Sequence, residues 1–199
     1  MKKLFFFDVE TTGLDPAVHD IVQLAYILDR DGEIVDKGDL YLRPGPGAVI
    51  DPDALRVQGR TLEQVMAFPP AVEAYHTLIG RLSLHIDKFN RADKLYPVAY
   101  CGIQFDYPFL QNLFKRHDDP FFGSWFNHRV IDPIVLARLL DFKDILVSPD
   151  LKLHTVCESF GVPLSQAHDA LADVTAMREL FYKMIDLFDE RKAMALMGG

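Results

Sequence analysis

The 199-residue sequence predicts an α/β protein with a mixed β-sheet. The short apolar run from Leu4 to Phe7 is rich in phenylalanine and indicates a buried strand. Two further strand-like segments, Ile21 to Asp29 and Glu33 to Arg43, flank the turn signal Arg30-Asp31-Gly32 and indicate a hairpin. Beyond residue 70, helical and strand-like segments alternate along the chain. A hairpin followed by this alternation is typical of a mixed sheet covered by helices.

The middle of the chain contributes two helices and one strand. Apolar residues recur at helical spacing from Ala71 to Ile86, which predicts an amphipathic helix. The segment Leu95 to Cys101 is apolar enough to be a central strand. A second helix is predicted from Asp106 to Phe114, because Pro108 falls near its first turn, where a missing N–H costs nothing.

The C-terminal half is predicted to hold a fifth short strand, of which 130–132 is the end, and three helices. Asp132 is expected to cap the first of these helices, Pro133 to Leu140, although it is also a further acidic residue of functional interest. The second helix, Lys152 to Phe160, is ended by a glycine and a proline. Apolar residues at helical spacing predict the last helix, Ala167 to Met184.

Length and composition predict one domain, residues 1–192, followed by a disordered tail, residues 193–199. Hydrophobic residues make up 49% of the chain, which is ample for a core. Asp8 and Glu10 interrupt the apolar start before the hydrophobic region of a signal peptide develops. No run approaches the roughly 20 apolar residues of a membrane span. The two cysteines, Cys101 and Cys157, show no close spacing, so a reduced, cytoplasmic setting is expected.

Asp8 and Glu10 are the first candidate functional residues. They lie two positions apart at the end of the first strand, so both side chains point to the same side, roughly 7 Å apart at about 3.3 Å per residue. Two carboxylates on one face of a buried strand repel each other and are costly to desolvate. A cation between them relieves both costs, and a divalent metal ion is the obvious candidate.

Three more residues complete a pattern that extends over most of the chain. Asp106 stands in YCGIQFDYPFL and, taken alone, is also a candidate helix cap. His168 precedes Asp173 by five positions in HDALADV, near the start of the last helix. A lone histidine at a helix start is usually an ordinary surface residue. Asp169 is expected to cap the helix and to interact favourably with its dipole.

These motifs resemble those of the DnaQ-like 3′-to-5′ exonucleases, the DEDD group, from Leu4 to about Met184. The first motif is Asp-x-Glu-Thr-Thr-Gly-Leu at 8–14, the second contains Phe105-Asp106, and the third pairs His168 with Asp173. Because a histidine stands five positions before the last aspartate, the sequence resembles the histidine branch of this family. The resemblance implies a ribonuclease H-like architecture, with a mixed five-stranded sheet flanked by helices.

The resemblance also implies hydrolysis of phosphodiester bonds from a free 3′ end with two divalent metal ions, Mg²⁺ or, in its place, Mn²⁺. The implied metal ligands are Asp8, Glu10, Asp106 and Asp173. His168 is implied to accept the proton of the attacking water. The implied substrate-binding residues are Thr11, Thr12, Gly13 and Leu14. Leu14 would press against the terminal base, and its ordinary burial is the alternative.

The second motif departs from the family at one position. Most members carry an asparagine a few residues before Phe-Asp, and here Cys101 holds that place. The asparagine resembles a support for the metal cluster or the substrate backbone. Its replacement affects fine positioning rather than the reaction, and Gln104 is a candidate substitute.

A net charge of −8 argues against long, non-specific duplex binding, which depends on many basic contacts. The expected partner is the 3′ end of a single strand with a small footprint, DNA in preference to RNA, and a polymerase is a candidate protein partner. The scattered basic residues that could touch a strand, each expected to be a surface charge, are Arg56, Arg60, Lys115, Arg116, Arg129, Lys143 and Lys152. The aromatic run 121–126 could stack on bases, but packing is favoured.

Two other functions remain open at this point. A 3′-to-5′ exoribonuclease that trims RNA or short oligoribonucleotides would keep the same five residues. A non-catalytic nucleic-acid-binding or replisome module is the alternative of another class, and retention of all five residues argues against it.

Overall fold

The computed structural model describes residues 2–164 and 169–197, with side chains to residue 187. Its described residues form a four-stranded sheet of β1 (Lys3–Thr11), β2 (Ile21–Arg30), β3 (Glu33–Tyr41) and β4 (Leu95–Val98). The strand order is β3-β2-β1-β4. β1 pairs antiparallel with β2 and parallel with β4, and β2 pairs antiparallel with β3. The predicted mixed sheet and its hairpin are therefore confirmed.

Helices cover both faces of this sheet. Their bounds are α1 (Pro52–Val57), α2 (Leu62–Met66), α3 (Ala71–Ser83), α4 (Asp106–Arg116), α5 (Phe122–Trp125), α6 (Pro133–Phe142), α7 (Leu153–Ser159) and α8 (Ala170–Met197). Alternate residues of β1 point to opposite faces. Phe5 and Phe7 pack with α3 and α4, whereas Leu4 and Phe6 pack with α8. The α6 and α7 helices pack against α8 in a further apolar cluster.

The predicted fifth strand is not confirmed among the described residues. The chain beyond α5 makes only isolated parallel bridges to β4, at Phe126 with Leu95 and at Ile131 with Val98. The carbonyl of Pro97 accepts a hydrogen bond from the Ile131 N–H at 2.8 Å, so Pro97 faces this neighbour. Because proline has no N–H to return, the ladder loses a bond there and the pairing stays short.

Two local predictions are confirmed. The Asp132 carboxylate accepts a hydrogen bond from the Ile134 N–H at 3.2 Å and caps α6. Trp125 and Phe126 are buried in the core below the sheet, as packing of the aromatic run requires, although Phe121 is exposed.

The α8 helix continues to Met197, but its side chains beyond residue 187 lie outside the described part. The division into a domain, 1–192, and a tail, 193–199, therefore stays a prediction. No helix among the described residues is both long and apolar enough to cross a membrane.

Candidate active site

The candidate site lies at the carboxyl end of β1. Asp8 and Glu10 point to the sheet face that α8 covers, since they alternate with Phe7 and Val9 of the opposite core. Asp173, in the first turn of α8, meets them there. One carboxylate oxygen from each of Asp8, Glu10 and Asp173 lies within 4.8 Å of the other two. Residues 165 positions apart in sequence thus form one acidic cluster.

Asp106 lies beside this cluster rather than within it. It is the first residue of α4 and is buried. Its carboxylate accepts a hydrogen bond from the backbone N–H of Val9, between the two acidic residues of β1, at 3.1 Å. Burial raises the pKa of Asp106 to about 7, although this hydrogen bond and one from its own N–H oppose the rise. The helix-cap alternative is not supported, because the N-cap of α4 is Phe105.

The carboxylates of the cluster hold their protons unusually strongly. Burial, followed by repulsion from Asp106 and Asp173, raises the pKa of Asp8 well above its ordinary value. Burial and repulsion from Asp173 raise the pKa of Glu10 to about 8. Close like charges with little solvent favour the neutral form in this way. A divalent cation would reverse both effects, and carboxylate oxygens are the ligands that Mg²⁺ and Mn²⁺ prefer, so the donor set fits such an ion.

Arg60 is a site neighbour that its local sequence does not reveal. It is predicted to be an exposed surface charge, yet its guanidinium donates a hydrogen bond to the buried Gln23, the cross-strand partner of Glu10. The same group lies over the rings of Tyr41 and Phe68, 5.2 and 5.5 Å from their centroids. Its positive charge lowers the pKa of Glu10, opposing the burial. Only the sheet register and the fold of the segment between α1 and α2 bring Arg60 to this position.

The predicted substrate-binding residues form a braced turn after β1. The Thr11 hydroxyl donates to the carbonyl of Gly13 at 2.6 Å, and the Thr12 hydroxyl donates to the carbonyl of Val49 at 2.6 Å. A Cβ on Gly13 would lie 2.2 Å from the ring of His19, so only glycine fits here without movement. Leu14 is 79% exposed, which excludes its ordinary burial and leaves its side chain free to contact a ligand.

His168 lies outside the described residues, so its predicted role is not tested by the geometry. The neighbouring residue is described: the Asp169 carboxylate accepts hydrogen bonds from the N–H groups of Leu171 and Ala172, both at 3.1 Å. Asp169 is therefore the N-terminal cap of α8, as predicted.

The loop that departs from the family pattern also has a clear geometry. Cys101 has a φ of +57°, in the left-handed region that asparagine tolerates better than most residues. Its backbone N–H donates to the Asp132 carboxylate at 2.9 Å. Gln104 is exposed and makes no hydrogen bond with the described residues, so its substitution for the asparagine stays a prediction.

Comparisons with known proteins identify the family of the chain. A model of the family described as "RNase_T: Exonuclease" matches residues 5–181. The DNA polymerase III PolC-type of Oceanobacillus iheyensis is 28% identical over 192 residues, which cover 94% of this chain and 12% of the relative. The PolC-type polymerase of Bacillus subtilis is 27% identical over 181 residues, 90% of this chain and 11% of that protein. The chain thus spans about an eighth of these relatives.

Solved structures of E. coli exonuclease I have the same fold. One, in complex with a dT13 oligonucleotide, has a TM-score of 0.77 at 21% identity. The match covers 96% of this chain and 43% of the exonuclease I chain. Another, a zinc-bound complex with single-stranded DNA, has a TM-score of 0.80 at 20% identity, covering 100% and 43%. The family match spans both β1 carboxylates, Asp106 and Asp173, and on this evidence the chain belongs to the exonuclease family.

Proposed function

We propose that this protein is a metal-dependent 3′-to-5′ exonuclease that releases 5′-mononucleotides from single-stranded DNA. The observation that carries the proposal is the convergence of the Asp8, Glu10 and Asp173 oxygens within 4.8 Å, with Asp106 buried alongside. Such a cluster is unfavourable without a bound cation, as the raised pKa of Glu10 indicates. Membership of the exonuclease family supplies the reaction class.

Different residues are proposed for metal binding and for proton transfer. The acidic cluster would hold two divalent ions, Mg²⁺ or Mn²⁺, with Asp106 contributing directly or through water. Ions bound there supply Lewis-acid chemistry that favours ionisation of water and stabilises a leaving oxygen. His168, two residues before α8 in sequence, would take the proton of the attacking water, a step for which the imidazole group is suited in general.

The turn after β1 is suited to a strand terminus. Thr11 and Thr12 fix the turn through their hydroxyls, and the exposed Leu14 offers an apolar surface to the last base. A side chain that packs on the last base favours a free 3′ end over an internal phosphodiester, and the matching family is described as exonuclease. This arrangement supports exonucleolytic rather than endonucleolytic cleavage.

The proteins to which this chain is similar favour DNA over RNA as the substrate. Its PolC-type relatives are DNA polymerases, and the E. coli exonuclease I structures contain a DNA oligonucleotide. Because the chain is similar to part of the PolC-type DNA polymerases, a polymerase is a candidate partner. The free thiols of Cys101 and Cys157 are consistent with a cytoplasmic location.

The test uses uniformly labelled DNA and RNA oligomers of one sequence, each with a 3′-hydroxyl, incubated with Mg²⁺ or Mn²⁺. We expect 5′-mononucleotides from the DNA, no cleavage in chelator, and loss of nearly all activity in Asp8→Asn and Asp173→Asn. The control is Asp31→Asn at the tip of the β2–β3 hairpin, an exposed aspartate at the opposite end of the sheet. Wild-type turnover in either site variant would refute the site assignment, and faster digestion of RNA would identify an exoribonuclease.

A further inference from the structure

One face of α6 exposes an unusual run of large apolar side chains. Val135, Leu139 and Phe142 are 47%, 48% and 79% exposed. Their spacing of four and three residues places them on a single face of the helix. The opposite face, with Ile134, Ala137 and Leu140, is buried. A contiguous exposed apolar stripe on a helix usually marks an interaction surface.

Two cations border this stripe. At about 100° per residue, Arg138 lies roughly 60° from Val135 on one side and Lys143 roughly 80° on the other. The Lys143 ammonium lies 5.8 Å from the centroid of the Phe142 ring. Neither cation forms an ion pair with the described residues. The nearest acidic residue of the helix, Asp141, lies about 60° beyond Arg138, off the stripe.

The stripe begins at the candidate active site. The Asp132 carboxylate that caps α6 also accepts the N–H of Cys101, in the loop that leads into Asp106. The exposed Ile103 belongs to the same loop, between Cys101 and Asp106 in sequence. From this cap, the ten residues of α6 give the surface a length of about 15 Å, at 1.5 Å per residue. A strand whose 3′ end reaches the carboxylates can therefore place its next few nucleotides along this face.

We propose that the exposed face of α6 is a binding track for the single strand upstream of the scissile phosphodiester, with Phe142 stacking on a base. Arg138 and Lys143 contact phosphates on either side of the apolar stripe. The inference rests on the proposed function and names the path of its substrate. A protein partner would also cover apolar residues, but cations on both borders and continuity with the carboxylate site favour a nucleic acid. Aromatic and basic side chains in alternation are the usual platform for unpaired bases.

The matched control lies elsewhere on the surface. Phe89 is 86% exposed and has a neighbouring lysine, Lys88, whose ammonium lies 5.4 Å from its ring. This pair reproduces the chemistry of Phe142 and Lys143, but it belongs to the loop before β4, at the end of the sheet opposite the carboxylates. Phe89→Ala therefore removes an equivalent aromatic ring that the strand does not reach.

The experiment measures binding of fluorescent thymidine oligomers of two to twelve nucleotides by anisotropy in Ca²⁺, and KM for their hydrolysis in Mg²⁺. Affinity should rise with length and then level off. Phe142→Ala should weaken binding of the longer oligomers by about 5- to 150-fold, the range of base–aromatic stacking, and Phe89→Ala should not. Arg138→Gln and Lys143→Gln should each reduce the salt slope by about 0.7. The nitrophenyl ester of thymidine 5′-monophosphate, too short to reach α6, is the reference substrate for each variant.

The outcomes separate the two proposals. Failure to hydrolyse the ester and every oligomer, with binding intact, would refute the proposed function alone. Equal affinities for Phe142→Ala, Phe89→Ala and the wild type would overturn the α6 track. Concentration-dependent self-association of the wild type that Phe142→Ala abolishes, with oligomer affinity unchanged, would also overturn it and identify a protein interface.

Discussion

Neutralising one carboxylate of the acidic cluster should stabilise the metal-free protein. Glu10 has a folded-state pKa of about 8 against an ordinary value of 4.5, because it is largely buried and faces Asp173. Between these values the folded state holds a proton that the unfolded state releases. Stability is therefore lost as pH rises from 4.5 towards 8. Glu10→Gln removes this dependence while keeping the size of the side chain.

The magnitude follows from the two pKa values. At about 1.4 kcal/mol per pKa unit, the 2.5 units between 4.5 and pH 7 correspond to a ceiling of about 3 kcal/mol, and full ionisation above pH 8 to about 5 kcal/mol. The gain is smaller than this ceiling for two reasons. Asp8 and Asp173 still repel each other in the variant, and the new amide must find hydrogen-bond partners. We therefore expect a gain of about 1–3 kcal/mol at pH 7, or about 2–12 °C in Tm for a chain of this size.

The assay is thermal unfolding in chelator from pH 4 to pH 8.5, comparing the wild type with Glu10→Gln and with Glu33→Gln. Glu33 is exposed at the opposite end of the sheet, where β3 begins, and is the control for loss of a negative charge. The Glu10→Gln advantage should vanish near pH 4 and grow with pH. Mg²⁺ should then stabilise the wild type more than the variant. A Glu10→Gln Tm equal to or below that of the wild type at pH 8 in chelator would refute the reasoning.

Three further predictions concern activity. His168→Ala should lose about 10²- to 10⁴-fold in kcat while keeping metal and oligonucleotide affinity, with partial rescue at high pH; a loss of Mn²⁺ affinity like that of Asp8→Asn would make His168 a ligand instead. Gly13→Ala should raise KM and cost about 1–3 kcal/mol in unfolding experiments, because its Cβ would lie 2.2 Å from the His19 ring; an unchanged KM would separate this turn from the substrate. A plot of log KM against log salt concentration should have a slope no steeper than about 3, because the protein neutralises few phosphates and each contributes about 0.7. Blunt duplexes should be cut more slowly than single strands. Cleavage of a closed circle would contradict an exonuclease.

The sequence alone predicted those parts of the fold that depend on local patterning. The continuous apolar run of β1 reports a strand buried on both faces, and the turn signal that ends at Gly32 reports a hairpin. The helical periods of α3, α6 and α8 each report burial on one face of a single helix. The caps at Asp132 and Asp169 are equally local, because a carboxylate and the N–H groups it accepts from lie within three residues. The fifth strand failed for a non-local reason: Pro97 of β4 faces the neighbouring segment and cannot donate to it.

The candidate site was predictable as a set of residue types and spacings, but its energetics were not. Motif spacing named Asp8, Glu10, Asp106 and Asp173, and the structure brings these four carboxylates close together. Only the packing of α8 on β1 brings Asp173 to Asp8 and Glu10. Burial and the repulsion from Asp173 that this packing creates raise the pKa of Glu10 to about 8. Local sequence carries no measure of how much solvent a carboxylate retains.

Arg60 and Phe142 show where tertiary structure alone decided. Both belong to short stretches of ordinary composition, in which a cation or an aromatic ring is equally compatible with a solvated surface or a packed interior. The fold of the segment between β3 and α3 leaves Arg60 half-buried over two rings near Glu10. The packing of α6 on α7 and α8 leaves Phe142 exposed. Sequence determined which groups this protein can use, because chemistry belongs to residue types. The fold determined which of them share a surface, because distance and burial depend on contacts between residues far apart in the chain.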